Sequence, residues 1–219
     1  MLSLASRCGI RVPETRVERI GDESVLLVQR FDRERVGGGG MERTYVRHRM
    51  ISALTVLDAE DTPMDRRNWS YVQLADELQR TSARPRDDKP ELFRRMVFNA
   101  LICNVDDHPR NHALVAPGRD WRLAPAYDLT PNSRQGTEER RLAMECGRLG
   151  RLASRQNLVS QSPRFGLIPE EANRIITEMK QIVARFWRTE VLRQGGSEHD
   201  CEVIEPAFVY PGFEYPSEP

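Results

Sequence analysis

Apolar positions fall at a helical period most clearly in two stretches. Leu92, Phe93, Met96, Val97, Ala100 and Leu101 recur at helical spacing, and Phe98, Ile102 and Cys103 widen the stripe. A helix that is apolar on most sides is a buried one. Ala172, Ile175, Ile176, Met179, Ile182, Val183, Phe186 and Trp187 follow the same period behind Pro169, a residue suited to a first turn. Stripes this regular are core rather than ligand boxes. A further helix opens at Ser70, with Gln73 in the capping-box position and Val72, Leu74, Ala75 and Leu78 as its apolar side. Arg84–Lys89 reads as a charged linker, and Pro90 predicts the first turn of the central helix.

The extended elements are shorter. Arg16–Ile20 and Ser24–Gln29 predict a β-hairpin across Gly21 and Asp22. Its second arm carries an unbroken apolar run, Val25–Val28, as a buried strand would. Leu2, Leu4 and Ala5, with Gly9 as a stop residue, predict a short helix before it. Glu42–Arg49 predicts a returning strand, with Arg47, His48 and Arg49 on a solvated face. His112–Val115 and Arg122–Leu123 predict two short strands around Pro117-Gly118, and Ala124–Ser133 a loop. Gly37–Gly40 lacks G-x-G-x-x-G spacing and no Lys follows it, so it reads as a loop rather than a phosphate cradle. Pro206–Pro219 is rich in Pro and aromatics and predicts a loose C-terminal tail. The divisions expected are therefore 1–36 (helix and hairpin), 37–205 (helical body) and 206–219 (tail).

Charge narrows the range of partners. The 219 residues hold 33 Lys+Arg against 33 Asp+Glu, so nothing electrostatic favours direct nucleic acid binding or a membrane surface. No stretch is long enough to span a bilayer. Cys8, Cys103, Cys146 and Cys201 form no C-x-x-C pair, and Cys103 lies in an apolar run as a small buried hydrophobe would. No secretion signal is evident, and the expected compartment is the cytoplasm.

The chemistry is concentrated in Asn104-Val-Asp-Asp-His-Pro-Arg-Asn111 and Leu123-Ala-Pro-Ala-Tyr-Asp128. Asp106 precedes Asn111 by the interval of the protein-kinase catalytic loop, and Asp128 follows after a short hairpin. Phosphoryl transfer needs a carboxylate to orient the attacking hydroxyl and hard oxygen donors for Mg²⁺, and Asp and Asn supply both. Read alone, Asp107 is a plain surface acid and Tyr127 a packing residue.

The run Phe98–His112 resembles the catalytic loop of the HipA family of serine/threonine kinase toxins, and Leu123–Leu129 resembles its metal-binding motif. Val28-Gln-Arg-Phe-Asp-Arg33 is similar to its hinge, with Gln29 in place of the usual acid. The resemblance covers nearly the whole chain. It implies an α+β fold, a mainly helical kinase-like C-terminal lobe with a small remnant sheet at the hinge. It implies ATP and Mg²⁺ as cofactors, with Asp106 as catalytic carboxylate, His108 in a charge or hydrogen-bonding role, Asn111 and Asp128 as metal ligands, and Gln29 and Phe31 at the adenine. The partners it implies are a DNA-binding antitoxin and a protein substrate, an aminoacyl-tRNA synthetase in studied members. The family carries a further front portion with a phosphate-binding loop and Lys, and neither is found here. The resemblance thus implies a chain incomplete at its N-terminus, or one half of a kinase completed by a separate N-terminal lobe subunit. Two other expectations stand beside it. One is an inactive lobe acting as an antitoxin-binding or regulatory module. The other is a metal-dependent hydrolase built on Asp106, Asp107, His108 and His112.

Overall fold

Helix α1 (Leu2–Arg7) stops at Cys8 and Gly9, whose positive φ of 74° supplies the left-handed turn a helix end requires. It is the first element of a computed structural model that describes residues 1–21, 23–36, 44–134, 136 and 139–215. Strands β1 (Thr15–Ile20) and β2 (Glu23–Val28) pair antiparallel as the hairpin pattern predicts. β3 (Arg33–Val36) pairs with β4 (Thr44–Arg47) in a second two-stranded sheet. The glycine run Gly37–Gly40 lies outside the described residues. β5 (Arg49–Ser52) leads into a single turn, α2 (Ala53–Val56), capped by the Ser52 hydroxyl. β5 also pairs with β6 (Ala113–Ala116), which pairs with β7 (Arg122–Leu123), giving an antiparallel order β5-β6-β7.

The larger remaining elements are helices. α3 (Tyr71–Thr81) starts where the Ser70 hydroxyl accepts from the Gln73 amide. α4 (Pro85–Leu101) follows, then α5 (Arg155–Val159), α6 (Pro169–Arg193) and α7 (Glu198–Ile204). α4 packs against α3 and α6, and α6 also meets α1, α5 and α7. Leu92, Phe93, Met96, Val97 and Phe98 of α4 have no exposed surface. Burial of each is worth roughly 1.5–3 kcal/mol, which makes α4 the axis of the fold. The architecture is α+β, helical for the most part, with small antiparallel sheets.

Three expectations change. The linker Arg84–Lys89 is the first turns of α4: Pro85 occupies the opening position, and Asp87 and Asp88 complement the positive end of the helix. Pro90 lies inside the helix, where its missing N–H removes one backbone bond. The run Val25–Val28 is not buried. Leu26 is 55% exposed, and with Val17 and Val28 it forms one largely exposed apolar face of a two-stranded sheet. Lastly, residues 207–213 do not lie loosely. Phe208 stacks on Trp187 with centroids 4.5 Å apart, and Ala207 and Phe213 are fully buried. Aromatic anchors hold this segment where no periodic stripe announces a helix.

Candidate active site

The site begins at the end of α4. Cys103 takes a left-handed conformation (φ 53°), the Asn104 amide donates to Asn99 O at 2.8 Å, and the Cys103 amide to Ala100 O at 3.4 Å. This pair of bonds is a Schellman stop, reached here without glycine. The chain then enters the polar segment Asn104–His112, folded on itself by His108 N–H to Asp106 O (2.9 Å) and Asn111 N–H to His108 O (2.8 Å).

Neighbouring acids in this segment face opposite ways. Asp106 is exposed and, with Val105, Thr130 and Asn132, lines an open cleft of about 380 Å³. Asp107 is 1% exposed, against the expectation of a surface acid. Its Oδ2 accepts from the Tyr71 hydroxyl and lies 2.7 Å from His112 Nε2. A buried carboxylate without partners is costly, and α3 and the strand entry supply them. Asn111 is buried, and its Nδ2 donates to Asp106 O at 3.3 Å, which leaves its amide oxygen free of that bond. His108 sits edge-on to Trp69 with centroids 6.3 Å apart.

The second motif comes to meet the first. Asp128 is exposed at a left-handed φ of 56°, a conformation Asp tolerates better than most residues. The Tyr127 hydroxyl donates to Arg110 O at 2.8 Å, one residue before Asn111. Burial pushes the Tyr127 hydroxyl up to about 12, with Arg95 opposing, so it remains a donor at neutral pH. The Tyr127 ring stacks on Phe31 at 5.8 Å. Beside Asp128 runs a mainly apolar groove of about 430 Å³, walled by Thr15, Val17, Leu26 and Val28 of the hairpin and by Leu129 and Thr130. Thr130 borders both this groove and the Asp106 cleft.

Phe31, Tyr127, Asp128, Asn111 and Asp106 are thus drawn into one region. Gln29 follows Val28 at the end of β2; its backbone N–H donates to Glu14 O at 2.9 Å, and the residue lines a neighbouring recess with Arg30, Arg33, Arg35 and Tyr45. The exposed Asp128 carboxylate and the Asn111 amide oxygen are hard donors of the kind Mg²⁺ takes. The four residues of the hydrolase reading do not share a centre. Asp107 Oδ2 and His112 Nε2 pair with each other inside, Asp106 faces out and His108 packs on Trp69; among the described residues no group of three or more His, Cys, Asp or Glu is placed to hold a metal.

Sequence reasoning missed Tyr71 and gave no role to Asn99 and Asn104, which lie inside the motif; all three stand behind the segment in the buried interior. Tyr71 opens α3 beside the capping Ser70, and no local pattern singles it out. Only the pairing of its hydroxyl with Asp107 does so.

Comparison with known proteins bears on the family and the fold. A family model described as the HipA-like C-terminal domain matches residues 1–187. Two curated relatives, Y4mE and Y4dM of Sinorhizobium fredii (strain NBRC 101917 / NGR234), each bear the name of a presumptive kinase. Y4mE is 26% identical over 153 residues, covering 70% of this chain and 36% of that protein. Y4dM is 28% identical over 142 residues, covering 59% and 32%. The chain therefore spans about a third of the length of these relatives. Among solved structures, the Shewanella oneidensis MR-1 toxin–antitoxin complex of HipA, HipB and operator DNA superposes with a TM-score of 0.73 at 18% identity, covering 94% of this chain and 51% of that one. The Helicobacter pylori proinflammatory kinase CtkA superposes at 0.56 with 11% identity, covering 94% and 78%. At such identities the superpositions speak to fold.

Proposed function

The chain belongs to the family of HipA-like C-terminal domains, and from that premise we propose that it is the catalytic lobe of a protein kinase that phosphorylates Ser or Thr. The observation that carries this reading is the bond from the Tyr127 hydroxyl to Arg110 O, which ties the Asp128 motif to the Asp106–Asn111 segment. Both acids stay exposed while Asp107 is buried.

In this reading ATP supplies the phosphoryl group and Mg²⁺ offsets its charge. Asp106 orients the substrate hydroxyl and accepts its proton as that oxygen bonds to the γ-phosphorus and the bond to the ADP oxygen breaks. Asn111 and Asp128 would hold the metal. Phe31, stacked on Tyr127, forms one wall for the adenine, and His108 lies two residues beyond Asp106 as a hydrogen-bonding side chain. The backbone N–H of Gln29 is bonded to Glu14 O, so Gln29 would meet the adenine through its carbonyl. A DNA-binding antitoxin is the partner this reading carries over from the toxin complex, with DNA contacted through that partner.

One observation favours a second reading, a non-catalytic module that binds a partner or regulates. The described residues walling the groove beside Asp128 include no Lys or Arg to face nucleotide phosphates. A separate N-terminal lobe subunit bringing that cation would reconcile the two readings.

Calorimetric titration of the chain with ATP and Mg²⁺ separates them. The kinase reading expects saturable micromolar binding that Asp128→Asn removes, and phosphotransfer that Asp106→Ala abolishes without lowering the melting temperature. No binding by the wild-type chain favours the module.

A further inference from the structure

Asp107 is joined to Asp128 through the interior. The Tyr71 hydroxyl gives its only proton to Asp107, so it can only accept from Asn99 Nδ2, at 3.1 Å. Asn99 Oδ1 accepts from Asn104 Nδ2 at 3.1 Å, and the same Nδ2 reaches Asp128 O at 3.5 Å. His112 closes the other end: a carboxylate only accepts, so His112 Nε2 is the donor in that pair. Tyr71, Asn99, Asn104, Asp107 and His112 are all buried. Burial first, and then the Asp107 charge, hold the Tyr71 proton in place across the physiological range.

This arrangement has a geometric consequence. Adjacent residues on a turning chain point apart, so pinning Asp107 inward between α3 and β6 turns Asp106 outward. At the far end the Asn104 amide holds the backbone of Asp128, a residue in a sparsely populated conformation that neighbours must maintain. We propose that the buried chain Asp107–Tyr71–Asn99–Asn104 sets the position of Asp106 relative to Asp128, which makes Asp107 and Tyr71 positioning residues of the site. The proposal rests on the kinase reading for its effect on turnover, but its structural content stands apart from that reading.

Tyr71→Phe is the decisive variant, since it removes one oxygen and keeps the ring. In phosphotransfer assays kcat falls on the order of 10- to 100-fold while KM for ATP stays within about threefold, as expected for misplaced reacting groups. Asn104→Ala cuts the same chain at its other end and gives the same split. The double variant loses far less than the product of the two, because the second cut severs a link already broken. Unchanged kcat with a lowered melting temperature, or multiplicative losses, overturns the proposal. Amide hydrogen exchange needs no turnover. Tyr71→Phe lowers protection in 104–111 and 127–129 together, and loss in one segment alone, or in neither, also overturns it. A wild-type chain that transfers no phosphate would sink the kinase reading while the exchange comparison still decides this one.

Discussion

Arg11, Ser82, Arg122 and the Leu123 amide all donate to the Asp88 carboxylate, at 2.6 to 3.0 Å, and Asp88 has no exposed surface. One side chain thereby joins the start of α4 to the segment after α1 and to β7. Burial alone pushes its carboxyl up, but the bonds from Arg122, Ser82 and Leu123 outweigh that and hold it below the ordinary range. Asp88→Ala strands two guanidinium groups and a buried amide, and the expected cost is about 3–5 kcal/mol in urea unfolding. Asp88→Asn, which keeps the shape, costs less. The charge itself was legible in the sequence, its burial was not, because nothing local separates Asp88 from the exposed Asp87 beside it. The same limit applies to Asp106 and Asp107. Spacing to Asn111 identifies the outward acid, whereas the inward one is defined by Tyr71, far off in the chain.

Among the elements, the segment after α7 shows what a period cannot reveal. It is held by separate contacts: the Val209 amide to Leu101 O at 2.9 Å, the Tyr210 hydroxyl to Ala153 O, and the Arg140 guanidinium over the Tyr210 ring at 4.3 Å. Leu101 is the last residue of α4, so the segment caps the helix that leads into the site. Glu214 fastens its end, taking two bonds from Arg155 (2.7 and 3.0 Å) and one from Lys180 (2.8 Å). The Arg155 bonds foremost hold its carboxyl at about 2, against an ordinary 4.5. A depressed acid stabilises the fold fully above its unfolded pKa and loses that contribution as pH falls through its folded one. Glu214→Gln should therefore lower thermal stability at pH 7, shift it less as pH falls below 4.5, and approach wild type only below pH 2. The carboxylate is partly exposed, so screening limits the effect to on the order of 1 kcal/mol. Helices α4 and α6, by contrast, were readable because their stripes repeat within one element.

For the molecule as a whole, stability is distributed unevenly, and the groove beside Asp128 lies on the boundary. On one side stand Tyr127 and Asp128, backed by the buried network and α4. On the other stands the β1–β2 hairpin, whose groove face holds Val17, Leu26 and Val28. A two-stranded sheet is marginal alone, and this one pairs with no third strand and leaves Val17, Leu26 and Val28 largely exposed. Local opening is expected to cost far less there than in α4, where exchange requires opening the core. Hydrogen exchange followed by mass spectrometry should show amides of 15–28 exchanging early and those of 92–101 last. If ATP with Mg²⁺ occupies the groove, it contacts both walls, and a ligand that binds only the closed arrangement stabilises it by mass action. The hairpin should then gain protection on addition of ATP and Mg²⁺ in the wild type and not in Asp128→Asn. Protection gained equally in that variant would place the nucleotide away from Asp128, and a hairpin already as slow as α4 would mean that its exposed face does not weaken it.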